Sequence, residues 1–196
     1  MAGGRATRLQ MGEKGLVRLC NRPLIDYVLD AVGKAGLTPI VITTPKTPYT
    51  ANYCRMQGIE QICTSGAGYV EDIIEAVSCL EEEGPVLILC ADIPGMRSEH
   101  LDYILSRYYA GSFPACSVWI PADLRPTPGD KTGFMQMVEG VIAFPVGINI
   151  LLGSRIAEEQ EEMRILLSDH SLAFNVNTPP ELSRAEEFFS AYYSET

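Results

Sequence analysis

One unbroken apolar run, Val-Leu-Ile-Leu-Cys-Ala at residues 86–91, narrows the possible folds more than any other stretch of this chain. A strand apolar at every position must be covered on both faces, as in sheets built from strand–helix–strand units. The flanking pattern agrees. Residues 23–36 carry Leu24, Tyr27, Val28, Ala31 and Val32 at helical spacing, open on a proline and close on Gly36. Strands are predicted at 39–43 and 60–64, with a helix over 49–57 between them and another over 69–80 after a Ser-Gly-Ala-Gly turn. Beyond residue 92 the same reading gives a helix at 98–109, a strand at 115–120, and short strands at 141–144 and 148–152. It ends with a helix at 156–167, a strand at 172–175 and a closing helix at 180–192. Such alternation predicts an α/β, Rossmann-like, mostly parallel doubly wound sheet in a single domain spanning residues 1–196.

The beginning of the chain is chemically distinct. Residues 1–22 hold Arg5, Arg8, Lys14, Arg18 and Arg22 against one acid, Glu13, in a chain of net charge −10. The Gly3-Gly4 pair lets backbone N–H groups approach a bound group closely, and N–H groups turned to one point form an anion-binding concavity. Arg5, Arg8 and Lys14 add charge-assisted donors for phosphate oxygens. A disordered basic terminus is the other reading of these residues taken alone.

Charge and composition exclude several classes. A strongly acidic chain lacks the basic face that a nucleic-acid backbone requires. From residue 155 onward nine acids face three arginines, the pattern of a solvated surface. No apolar run reaches the roughly 18 residues of a membrane span, and no apolar segment follows a basic start, so a cytoplasmic protein without a membrane partner is expected. Four of the six cysteines (Cys63, Cys79, Cys90, Cys116) lie in apolar runs, no cysteine or histidine pair has zinc spacing, and His100 and His170 stand alone. Residues 121–136 are the richest loop signal, long enough to be either functional or surface slack.

Five segments together resemble a known family: AGGRATRLQMGEK at 2–14, LVRLCNRPLIDYV at 16–28, TSGAGYVED at 64–72, PVGINI at 145–150 and FNVNT at 174–178. The first is similar to the phosphate loop of nucleotidyltransferases that include the molybdenum-cofactor and sugar-phosphate enzymes. The set, running from residue 1 to about residue 182, most resembles the archaeal-type adenosylcobinamide-phosphate guanylyltransferases. That resemblance implies transfer of GMP from GTP to adenosylcobinamide phosphate with release of pyrophosphate, assisted by Mg²⁺. GTP and the corrinoid phosphate would be the partners, with a homodimer possible. Other small-phosphate nucleotidyltransferases, and a nucleotide-binding module without turnover, are the alternatives.

The resemblance also implies roles. Ala2, Gly3, Gly4, Arg5 and Thr7 would form the phosphate loop, with Arg8 and Lys14 holding the β- and γ-phosphates. Asp92 follows the apolar strand at its carboxyl edge, where open α/β sheets bind ligands. It would be the catalytic metal ligand; a turn aspartate ahead of Pro94 is its ordinary reading. Asn177 would be the second metal oxygen, unless it caps the helix after it. Ser65, Gly66 and Gly68 would lie along the base and ribose, and Gly147 and Asn149 near the acceptor. The chain departs from the family pattern at Ala6 and Gly15, usually glycine and proline. The family also has an apolar strand of about five residues ahead of the glycines. That first central strand is missing here, so a start internal to a longer reading frame, or low stability at the loop, is expected.

Overall fold

A computed structural model describes residues 1–3, 12–126 and 134–194, with side chains described as far as residue 191. Gly4, Arg5, Thr7 and Arg8, and residues 127–133 of the long loop, lie outside the described residues. The elements in chain order are β1 (Arg18–Leu19), β2 (Arg22–Pro23), α1 (Leu24–Lys34), β3 (Val41–Thr43), α2 (Pro48–Met56) and β4 (Gln61–Cys63). There follow α3 (Tyr69–Cys79), β5 (Pro85–Leu89), α4 (Ser98–Ala110), β6 (Ala115–Pro121), β7 (Gln136–Val138), β8 (Val141–Leu152), β9 (Glu162–Leu166) and α5 (Pro179–Ser194).

The expected α/β class holds, and the large sheet is mixed. β3 and β4 pair in parallel, and a second sheet runs β5-β8-β6-β9 with β7 on β8. β6 and β9 are parallel, whereas β8 runs against β5, β6 and β7. Helices α1 and α4 supply the main core with Val28, Val32, Leu101 and Ile104, packed on Val118, Ile148, Ile150 and Ile165 of the large sheet. Gly36, in a left-handed conformation, ends α1 while the Leu37 N–H reaches back to the Val32 carbonyl, which closes the last turn.

Residues 1–3 stitch the two sheets together. The Met1 amine donates to the Leu89 carbonyl (2.6 Å), the Ala91 N–H to the Met1 carbonyl (3.1 Å) and the Ala2 N–H to the Ile42 carbonyl (2.9 Å). Beyond this stitch the seam opens into a cavity of about 410 Å³ between β3 and β5, walled by Val28, Val32, Ile73 and Val77. Burial there holds the Met1 amine below its usual pKa.

Three expectations fail locally. Residues 156–167 were expected as a helix, yet Glu162–Leu166 is strand β9. Glu158, Glu159, Glu161 and Glu162 crowd like charge onto successive positions, which disfavours a helix. Pairing with β6 buries Ile165 and lays Arg164 over the Trp119 ring at 5.7 Å. Residues 172–175 were expected as a strand, but His170–Ala173 is a 3-10 turn because the Asp169 carboxylate caps the Ser171 N–H (2.9 Å). The two short strands at 141–144 and 148–152 are one, β8. Gly147 has φ +75° there, and the pairing with β6 shifts between Ser117 and Trp119. A bulge of this kind bends a strand without ending it.

Candidate active site

Lys14 opens a short 3-10 turn, Lys14–Leu16, just past the glycine-rich segment. Its position is fixed by its neighbour. The Glu13 carboxylate, almost fully buried, accepts the backbone N–H groups of Tyr49 (2.8 Å) and Thr50 (2.5 Å) in the first turn of α2. That helix has no side-chain cap of its own, so a remote carboxylate satisfies its orphan donors and favours its positive end.

With Glu13 docked, Lys14 extends to the carboxyl edge of β5. Its ammonium bonds to the Asp92 carboxylate and to the Asn177 side-chain oxygen, with Asn175 Oδ1 at 3.4 Å. The two asparagines share a face because residues 174–177 alternate. Phe174 and Val176 point into a cluster with Leu19, Leu24, Tyr27 and Phe189, which leaves Asn175 and Asn177 on the opposite side. Asn177 Nδ2 donates to Asn175 Oδ1 (2.8 Å), and the Asn177 N–H is held by Glu181 Oε2 (2.8 Å).

The donor set suits a hard divalent cation. Asp92 is buried, and its Oδ1 has no hydrogen-bond partner among the described residues. An orphan buried acceptor costs on the order of 1–3 kcal/mol, more when charged, unless something satisfies it. One carboxylate and one or two amide oxygens are few ligands, as Mg²⁺ requires when phosphate and water complete its shell. Among the described residues no group of three or more His, Cys, Asp and Glu side chains could form a closed metal cage. In this arrangement the Lys14 ammonium is the cation among those oxygens.

A cavity of about 490 Å³ opens beside this cluster, lined by Met1, Ala2, Gly3, Lys14, Thr44, Lys46, Gly66, Gly68, Tyr69 and Asp92. A Cβ on Gly3 would stand 2.6 Å from Thr44 Cγ2, so any larger residue would have to displace the Thr44 side chain. Gly66 has φ +75°; its N–H donates to Asp72 Oδ1 (2.8 Å) and its carbonyl accepts from Lys46 Nζ (2.7 Å).

Lys14, Asp92 and Asn177 therefore converge, and Ala2, Gly3, Gly66 and Gly68 line the adjoining cavity. Ser65 is turned aside: both its N–H (2.9 Å) and its hydroxyl (2.7 Å) donate to Glu75 Oε2. Gly147 and Asn149 do not line that cavity. A Cβ on Gly147 would meet Cys90 Sγ at 2.8 Å, and Asn149 pairs with Ile88 and Ser117 within the sheet. Sequence reasoning missed Glu13, Thr44, Lys46 and Tyr69. For Lys46 a signal existed, since Thr-Pro-Lys-Thr-Pro follows β3 at a strand's carboxyl edge. Tyr69 meets the Cys90 thiol at 3.9 Å, and burial raises the pKa of both groups.

Known proteins resemble this chain in sequence and fold. Residues 1–172 match the MobA-like NTP transferase domain. An adenosylcobinamide-phosphate guanylyltransferase of Methanocaldococcus jannaschii is 33% identical over 95% of this chain and 93% of its own. A molybdenum cofactor guanylyltransferase of Yersinia pestis is 27% identical over 65% of this chain and 63% of its own. In fold, the chain superposes on molybdopterin-guanine dinucleotide biosynthesis protein A of Archaeoglobus fulgidus with a TM-score of 0.66, at 18% identity and over 97% and 96% of the two chains. CMP:2-keto-3-deoxy-manno-octonic acid synthetase gives a TM-score of 0.71, at 14% identity and over 96% and 95%.

Proposed function

Because the chain belongs to the MobA-like NTP transferase family, we propose that it transfers GMP from GTP to adenosylcobinamide phosphate, releasing pyrophosphate, as a cytoplasmic Mg²⁺-dependent enzyme. The convergence of Lys14, Asp92 and Asn177 beside a glycine-lined cavity carries this reading. The corrinoid acceptor rests on the 33% identical relative, which bears that activity in its name.

In such a transfer an acceptor phosphate oxygen bonds to the α-phosphorus as the bond to the bridging oxygen breaks. The electron pair leaves with pyrophosphate. Catalysis is mostly positioning and electrostatic stabilisation. Asp92 and Asn177, with Asn175 behind, would hold Mg²⁺, which when bound neutralises charge on the phosphate oxygens. Lys14 supplies a point charge at the same place and would pair with the departing phosphates. Arg8, with Gly4, Arg5 and Thr7, would complete the phosphate loop. Lys46, held against the Gly66 carbonyl, brings a further cation to the cavity. Gly66 and Gly68 leave room for base and ribose. We keep Gly147 and Asn149 as candidates of the acceptor side.

Pyrophosphate release with GTP, ATP, CTP and UTP, each with and without cobinamide phosphate, tests the reading. Release confined to GTP plus the acceptor is expected. Release with CTP instead, or none with any acceptor, would overturn it.

A further inference from the structure

The Lys14–Asp92–Asn177 cluster lies between two cavities. On one side is the glycine-lined cavity that takes in Lys14 and Asp92. On the other, a cavity of about 320 Å³ takes in Asn175 and Asn177 and continues between the start of β8 and α5. Its walls are apolar, with Phe134, Phe144 and Phe174, but two arginines enter it: Arg125, after β6, and Arg184, on α5. The Arg125 guanidinium carbon lies 4.5 Å from the centre of the Phe144 ring, a cation–π contact that fixes its place. Arg184 Nε is buried and makes no hydrogen bond among the described residues. Among the described lining residues the one acid is Glu181, which has an oxygen engaged by the Asn177 N–H at 2.8 Å. The charge of the described lining residues is therefore net positive in an acidic protein.

A buried guanidinium edge without a partner is costly unless an acceptor meets it. Planar fork donors match phosphate. We infer that this second cavity seats the acceptor's phosphomonoester, with Arg184 and Arg125 binding the oxygens that do not attack and the aromatic walls receiving the acceptor's apolar body. The inference rests on the proposed transfer and adds the place and residues of its second substrate. The donor triphosphate then occupies the glycine-lined side, and the two phosphates meet at Asp92 and Asn177. A phosphate dianion brings its own electron pair, so no residue here has to remove a proton. Pro145 and Val146 border the cavity, which ties it to the segment already associated with the acceptor.

The test compares wild type, Arg184→Gln and Arg184→Lys. In steady-state pyrophosphate release, Arg184→Gln should raise KM for cobinamide phosphate about tenfold or more, with KM for GTP within about twofold. Arg184→Lys should recover part of the loss. Binding of phosphate-free cobinamide should be equal in all three. An unchanged acceptor KM, or an equal loss for cobinamide, would overturn the inference. Should Arg184→Gln not fold, Arg125→Gln, on a different element, is read in the same way. Calorimetric titration with phenyl phosphate separates this inference from the reading beneath it. Saturable, Arg184-dependent binding without any transfer to the corrinoid would retain the cavity and sink the acceptor. No saturable binding of phenyl phosphate to wild type would sink the cavity, whatever the turnover.

Discussion

The ammonium of Lys14 rests against the carboxylate of Asp92, a residue 78 positions further along the chain. One comes from the glycine-rich entry segment and the other follows β5, so the contact joins the segment proposed to hold the phosphates to the carboxylate proposed to hold the metal. Asp92→Ala should lower kcat by about 10²-fold or more while GTP still binds weakly. Lys14→Ala should lower kcat and weaken GTP affinity together. Single-turnover pyrophosphate release alongside GTP titration measures both, and wild-type rates in either variant would refute the assignment.

Glu13→Ala should destabilise the protein by about 1–2 kcal/mol, the scale of a lost helix cap, because two N–H groups of α2 lose their acceptor. It should also raise KM for GTP, since Lys14 is the next residue. Urea unfolding and steady-state kinetics on the same preparation would show both effects. A stability change with unchanged KM would mean that the turn keeps Lys14 in place without Glu13.

Acid should weaken the join between α4 and the 3-10 turn after β9. Asp169 accepts from Arg97 (2.6 Å), His100 Nε2 (3.0 Å) and the Ser171 hydroxyl (2.7 Å). His100 Nδ1 accepts the Arg97 N–H (3.2 Å), which leaves the proton of a neutral ring on Nε2. Burial lowers the His100 pKa against the pull of Asp169. Burial tends to raise the Asp169 pKa, but hydrogen bonds from Ser171, His100 and Arg97 outweigh it and bring it well below the usual range. Both groups then stabilise the fold above their unfolded values, about 6.5 for His and 3.9 for Asp. Each contribution is lost as pH falls through the lowered folded pKa. Urea midpoints should decline below about pH 6.5, with a second fall below about pH 4. In Asp169→Asn the second fall should shrink, and a midpoint that rises on acidification would contradict the account.

Filling the seam between β3 and β5 should stabilise the chain. Five or so apolar, β-branched residues fused ahead of Met1 would bury side chains worth about 1.5–3 kcal/mol each before the entropy of ordering them. They would also offer backbone partners to the facing strands. The Tm should rise by several degrees, whereas a serine–glycine extension of equal length should leave it unchanged. Equal effects of the two extensions would show that the cavity does not accept a strand.

Much of this site was legible because its chemistry sits at chain punctuation. Asp92 follows the apolar run 86–91, and Asn175 and Asn177 alternate with two inward residues, Phe174 and Val176. Lys14 could be read from local charge. Glu13 could not: it stood out only as the lone acid among basic residues, and its partners lie 36 and 37 positions away. β9 was hidden for a related reason. Its residues carry no strict alternation, and the edge of β6 decides their conformation. The two-residue turns at Cys20-Asn21 and Glu139-Gly140, with positive φ at all four positions, also escaped notice. Of these four residues only Gly140 is a glycine, so the hairpins they make were weakly signalled.

Residues 1–3 are the narrow stitch between the small parallel pair and the large sheet, and the glycine-lined cavity straddles it, with Lys46 and Gly66 on one bank and Asp92 on the other. A triphosphate gripped from both banks would act as a staple as well as a substrate. Loading with nucleotide should then slow amide exchange on both sides of the seam together, and the empty protein should let its smaller bank loosen first.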